Sequence, residues 1–218
     1  MSLHLQRDLD KLKKEMLKLG NMVEVSINNA ILALNNREKT YVHEVFANEE
    51  LINEMEVKVE EDCLKILALH QPVAVDLRFI VVVLKVNNDL ERMGDIAKNI
   101  AKRASELMEV DPIPELNKVI QGLPELIRTM VRNSLDALVK LDDQLAREII
   151  DMDDRVDDIN KEMYVAIKKA VRENPGLSDV AINLLSTSRY MERIGDLSTN
   201  IAEDVIFMVE GKVIRHAE

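Results

Sequence analysis

Two segments of the chain set acidic residues four apart. Glu91 and Asp95 are followed by Asn99, and Glu192 and Asp196 are followed by Asn200. On a helix that spacing places side chains on one face, so each segment offers two carboxylates and an amide in a row. Like charges so placed repel by a few tenths of a kcal/mol, roughly, unless a cation or a basic side chain lies between them. Oxygen donors in such a row suit a hard cation: iron, manganese or magnesium rather than mononuclear zinc, which takes nitrogen and sulfur. A second pair of rows lies upstream, where Glu49 and Asn53 correspond to Asp153 and Asp157 and flank the apolar Ile52 and Val156. If the helices carrying these rows are neighbours, Glu49 converges with Glu91 and Asp95, and Asp153 and Asp157 converge with Glu192 and Asp196. Two blander readings compete. The face is solvated charge, or Arg92 and Arg193 bridge to carboxylates of a neighbouring chain.

The elements that position these rows come from an internal repeat. At an offset of 104, Ile27 to Leu34 falls on Val131 to Leu138, and Leu12, Met16, Leu19, Met22 and Val23 fall on Leu116, Ile120, Leu123, Leu126 and Ile127. Gly20 falls on Pro124, which predicts a matched kink, because both residues weaken a helix. At an offset of 101, ERMGDIAKNIA (Glu91 to Ala101) falls on ERIGDLSTNIA (Glu192 to Ala202). The change of offset implies a shorter connection before the last helix, marked by Pro72 in one half and Asn174, Pro175 and Gly176 in the other. Asp76 and Asp179 each follow a proline by four, where a carboxylate in the first helical turn meets the favourable end of the macrodipole. Gly94 and Gly195 interrupt helical stretches at about 1 kcal/mol each. They predict close approach by another backbone or a bound group.

Prolines in Asp111 to Pro114 separate the halves, so the chain reads as an all-α protein of two pseudo-symmetric antiparallel three-helix bundles, residues 1–110 and 111–218. The six expected helices span 4–36, 38–70, 73–109, 114–141, 143–173 and 177–210. Phe79, Val83, Val86, Leu90, Met93 and Ala97 step by threes and fours along an apolar seam.

Composition narrows the function. Aromatic residues make up 3% and glycine and proline are few, which disfavours a sheet-rich fold. A net charge of −11 repels phosphate backbones, so nucleic acid is not an expected partner. The longest apolar run, Phe79 to Leu84, is far short of the roughly 20 residues needed to cross a bilayer. Met1 to Glu15 has no apolar core of a secretory signal, and the single Cys63 forms no internal disulfide and reads as buried packing, so the cytoplasm is the expected compartment. His4, His43, His70 and His216 never form the Glu-x-x-His of ferritin-like di-iron helices, and no phosphate-cradling glycine loop occurs. No motif calls for an enzyme.

The repeated ER-x-GD-x-x-x-NI motif, the segment QPVAVDLRFIVVVLK and the ending GKVIRH resemble the PhoU family over nearly the whole chain. The resemblance implies a homodimer of paired three-helix bundles whose E/D-x-x-x-D pairs bind multinuclear clusters of divalent or ferric ions, with iron, manganese, magnesium and zinc as candidates. The positions that match are Glu49, Glu91 and Asp95 in the first half and Asp153, Asp157, Glu192 and Asp196 in the second. Asn53 stands where the motif has a carboxylate, which implies a weaker first cluster. The family resemblance also implies a negative regulator of the phosphate-starvation response. Such an adaptor couples the ATPase subunit of the phosphate ABC transporter to a phosphate-sensing histidine kinase, and is peripheral to the inner membrane through those partners. A metal-dependent phosphate-ester hydrolase and a metal-storage bundle are the alternative classes.

Overall fold

Stretches whose apolar residues recur at three- and four-residue steps bury one stripe each, and a computed structural model describing residues 3–211 shows them as helices. The first half contains α1 (Leu3–Asn36), α2 (Lys39–His70) and α3 (Ala74–Leu107). The second contains α4 (Pro114–Ile120), α5 (Leu123–Lys140), α6 (Asp143–Glu173) and α7 (Ser178–Glu210), with a 3-10 turn over Pro175–Leu177. Among the described residues there is no strand, and no helix is long and apolar enough to cross a membrane. Of the GKVIRH ending only Gly211 is described, and His216 lies outside the described residues.

The helix expected over 114–141 is divided, because α4 closes on Gln121, Gly122 opens α5, and Pro124 sits in the first turn of α5, where its missing N–H interrupts the ladder. No break answers it in α1, which runs unbroken through Gly20. The glycine there serves packing: a Cβ would sit 2.8 Å from Leu135 Cδ2 of α5. The matched kink is therefore absent, since glycine keeps the N–H that proline lacks. Nor is the last connection shorter. Residues 71–73 link α2 to α3 and 174–177 link α6 to α7, so the changed offset is absorbed by helix ends. The first turn of α7 gives way to the 3-10 turn, which Asn174 caps by accepting from Gly176 N at 3.1 Å.

Within each half the long helices pack on one another, and α3 against α7 and α1 against α5 join the halves. One apolar core runs through both, including Leu19, Ile52, Leu90, Ile127, Val156 and Ile194. A smaller cluster (Ile113, Leu116, Met163, Ile167, Ala181, Leu184) lies under α4. Across the α3–α7 seam Lys85 Nζ reaches Asp204 Oδ1 at 2.9 Å, with Asp204 only 2% exposed. At the far end of α3 the Arg37 guanidinium donates to the carbonyls of Leu107, Met108 and Val110, satisfying groups a helix terminus leaves open. Asp76 and Asp179 occupy first helical turns as expected. Cys63 is buried, and desolvation pushes its thiol up to about 12, which makes it inert packing.

Candidate functional site

The acidic rows sit where the middle and last helices of each half pack together, α2 on α3 and α6 on α7. Glycine sets the closeness of that packing. A Cβ on Gly94 would meet Ile52 Cδ1 at 3.1 Å; one on Gly195 would meet Asp153 Oδ1 at 3.3 Å and Ile127 and Val156 at 3.5 Å. What approaches each glycine is thus a side chain of a neighbouring helix rather than another backbone.

In the first half Glu49 is 7% exposed and already neutralised. Lys98 Nζ lies 3.0 Å from its Oε2, and Asn53 Nδ2 donates to Oε1 at 3.1 Å. Burial opposes ionisation of this carboxyl, but the hydrogen bonds of Lys98 and Asn53 outweigh it together and hold it below the usual carboxylate range, with a smaller contribution from Asp95. The Lys98 ammonium also lies 5.7 Å from the centroid of the Phe46 ring. Glu91 is pushed up by burial and then by the charges of Asp95, Glu56 and Glu49, against the pull of Arg92. One turn along, buried Asn87 donates to Glu56 O at 3.0 Å and Oε1 at 3.3 Å. Asp95 and Asn99 are exposed, and Asn99 turns its amide back to the Asp95 carbonyl at 3.0 Å, so it adds nothing to the row.

In the second half no lysine enters the cluster from α7. Asp153 Oδ1 is buried and has no hydrogen-bond partner. Burial and then the charges of Asp196, Asp157, Asp154 and Glu192 push the Asp153 carboxyl up to about 6. Glu192 is raised by burial and by Asp196 and Asp157, against Arg189; Asp196 is raised by burial and by Asp157, against Arg193. Four carboxylates thus feel one another across the α6–α7 contact. Glu192 is held in place by Asn160, whose Nδ2 donates to Oε2 at 2.5 Å, and Ser188 Oγ donates to Asn160 Oδ1 at 2.9 Å. At the rim Lys161 lies 3.9 Å from Asp157 and 3.1 Å from Asp158, well exposed.

The helices that carry the acidic rows are neighbours in both halves and their carboxylates perturb one another, but among the described residues no three or more His, Cys, Asp or Glu side chains are gathered in an arrangement that could hold a metal ion. Arg92 is exposed and lies 3.6 Å from Asp89 of its own helix. Sequence reasoning missed Lys98, Phe46, Asn160 and Ser188. A signal for the first was present, since the two copies of the repeated motif differ in charge at one place, Lys98 against Thr199.

A family model described as the PhoU domain matches the chain twice, over residues 16–104 and 120–205. A phosphate-specific transport system accessory protein PhoU homologue from Pseudomonas putida is 35% identical, covering 96% of this chain and 82% of its own length. The homologue of the same description from Aquifex aeolicus is 35% identical over 96% of this chain and 95% of its own. Among solved structures, PhoU from Pseudomonas aeruginosa superposes with a TM-score of 0.92 at 33% identity, covering 95% of this chain and 99% of that one. The phosphate transport system regulatory protein PhoU from Streptococcus pneumoniae gives a TM-score of 0.81 at 25% identity, covering 96% and 98%.

Proposed function

The chain belongs to the PhoU family of accessory and regulatory proteins of phosphate transport, and from that premise we propose a cytoplasmic, metal-binding adaptor that restrains the phosphate-starvation response. Its partners are the ATPase subunit of the phosphate ABC transporter and a phosphate-sensing histidine kinase, and it acts as a homodimer at the inner membrane through them. The relatives are named for accessory and regulatory roles, not for catalysis. Helices of 31 to 34 residues give an adaptor fixed surfaces at a low ordering cost.

The observation that carries the metal reading is the lone Asp153 Oδ1, buried against Gly195 amid three further carboxylates. A buried carboxylate oxygen without a donor is costly, and a hard cation supplies what it lacks. Asp153, Asp157, Glu192 and Asp196 would hold the ion after closing in around it from their metal-free positions, while Asn160 and Ser188 steady the Glu192 carboxylate. Glu91, Asp95 and Glu49 are the corresponding residues of the first half, where Lys98 already neutralises Glu49. An ion here replaces mutual repulsion between α6 and α7 by shared attraction and so stiffens the second half. Elemental analysis after mild purification, with Asp153→Asn/Glu192→Gln as control, tests this: wild type retains divalent or ferric ions and the variant loses them. For the adaptor role, co-purification with the ATPase subunit or the kinase in high phosphate is expected, and no partner at either phosphate level overturns it.

A further inference from the structure

Of the positions at the α2–α3 contact that differ from their repeat counterparts at α6–α7, three bear on Glu49: Phe46 against Ile150, Asn53 against Asp157, and Lys98 against Thr199; Glu56 against Asn160 adds a carboxylate one turn along, where Asn87 donates to it. Each of the three favours an ionised Glu49. Lys98 brings an ammonium 3.0 Å from Glu49, whose counterpart Asp153 has an oxygen with no partner. Asn53 donates to the second oxygen of Glu49, where a carboxylate at this position would add a charge. The face of Phe46 lies near the ammonium at 5.7 Å, an attraction an isoleucine cannot supply. Thr199 turns its hydroxyl back to the Asp196 carbonyl at 2.7 Å and offers no positive charge.

We infer that Lys98 is a tethered cation: its ammonium takes the place in the first half that a metal ion takes in the second, so that only one of the two duplicated clusters depends on metal. This rests on the metal reading of the second half given above. A covalently attached ammonium competes at very high effective concentration, and once it has neutralised Glu49 a divalent ion gains little and must displace it. Asn53 completes the arrangement by leaving one fewer carboxylate beside Glu49. The chain is then sensitive to metal supply through α6 and α7 alone, while the α2–α3 contact keeps its geometry whether or not ions are present.

Reciprocal exchange of the differing residues tests this on the full chain, with Mn2+ as the probe and calorimetric stoichiometry as the readout. In wild type, Asp153→Asn/Glu192→Gln abolishes Mn2+ binding and Glu49→Gln/Glu91→Gln leaves it unchanged. Asn53→Asp/Lys98→Thr adds a first-half site and doubles the stoichiometry. The converse variant, Asp157→Asn/Thr199→Lys, weakens second-half binding at least tenfold while the helical circular dichroism persists. This variant decides the matter if the first exchange fails to fold. Equal loss of Mn2+ from the Glu49/Glu91 and Asp153/Glu192 variants overturns the tethered cation, as does an unchanged stoichiometry in a folded Asn53→Asp/Lys98→Thr protein whose second half still binds. Should wild type bind no Mn2+ at all, the metal reading fails. Melting in EDTA then judges Lys98 by itself: Lys98→Thr lowers the Tm by several degrees and Thr199→Lys raises it, and identical melting of all three proteins overturns the inference.

Discussion

The two acidic contacts descend from one plan and solve the same electrostatic problem differently. At the α2–α3 contact a carboxylate is buried with its counterion, and Lys98 and Asn53 together hold Glu49 ionised. At the α6–α7 contact the carboxylates face each other, and Asp153 responds by holding its proton up to about 6. The difference teaches that placing charges on helix faces does not fix their function. What fixes it is whether a neutralising group arrives with the chain or must come from solution.

Four outcomes break or sharpen that comparison, from the largest to the smallest. Removing the apolar support is most severe: Ile52→Ala, at a fully buried side chain seated on Gly94, costs about 3 to 4 kcal/mol in chemical denaturation. The counterpart Val156→Ala costs about 2 kcal/mol, having less volume to lose. A reversed order would show that the α6–α7 contact carries the greater packing energy. Next is Lys98→Met, which leaves Glu49 buried without its cation and lowers stability by about 2 kcal/mol. Full stability in this variant would remove the contrast.

The third concerns pH. Asp153 titrates near 6 when folded and has an ordinary carboxylate value of 3.8 unfolded, so between those values the folded state binds more protons than the unfolded one. Stability of the metal-free second half therefore falls as pH rises through that window, and Glu192 and Asp196, raised for the same reasons, act with it. Glu49 has the opposite sign: its stabilisation is present above the unfolded carboxylate value and is lost on acidification. Amide exchange in EDTA should show α6 and α7 opening more readily at pH 7 than at pH 5, relative to α2. Equal protection of α6 and α7 at the two pH values would count against the repulsion. The smallest effect belongs to Lys161→Ala, which removes only exposed ion pairs and leaves the denaturation midpoint essentially unchanged. A loss matching that of Lys98→Met would mean the second half also has a resident cation.

Much of this was legible along the chain. Spacings of four put Glu91 with Asp95 and Glu192 with Asp196, the offsets paired α2 with α6 and α3 with α7, and the apolar seam of α3 is buried from Val83 to Ala104. Gly20 against Pro124 misled, because equal dislike of helices does not mean equal means of breaking them: only proline lacks the N–H. The glycines at 94 and 195 announced close packing without naming what fills the space, which depends on the rotamers of Ile52 and Asp153.

Periodicity, repetition and composition belong to the chain alone: long amphipathic helices, their duplication, and acidic rows on matched faces follow from spacing, because helical geometry turns intervals of three and four into faces. The register of α2 against α3 and of α6 against α7 could be settled only in the folded molecule. A shift of one turn would carry Lys98 away from Glu49. Ionic contacts act over a few ångströms, and interlocking side chains set distances on that scale.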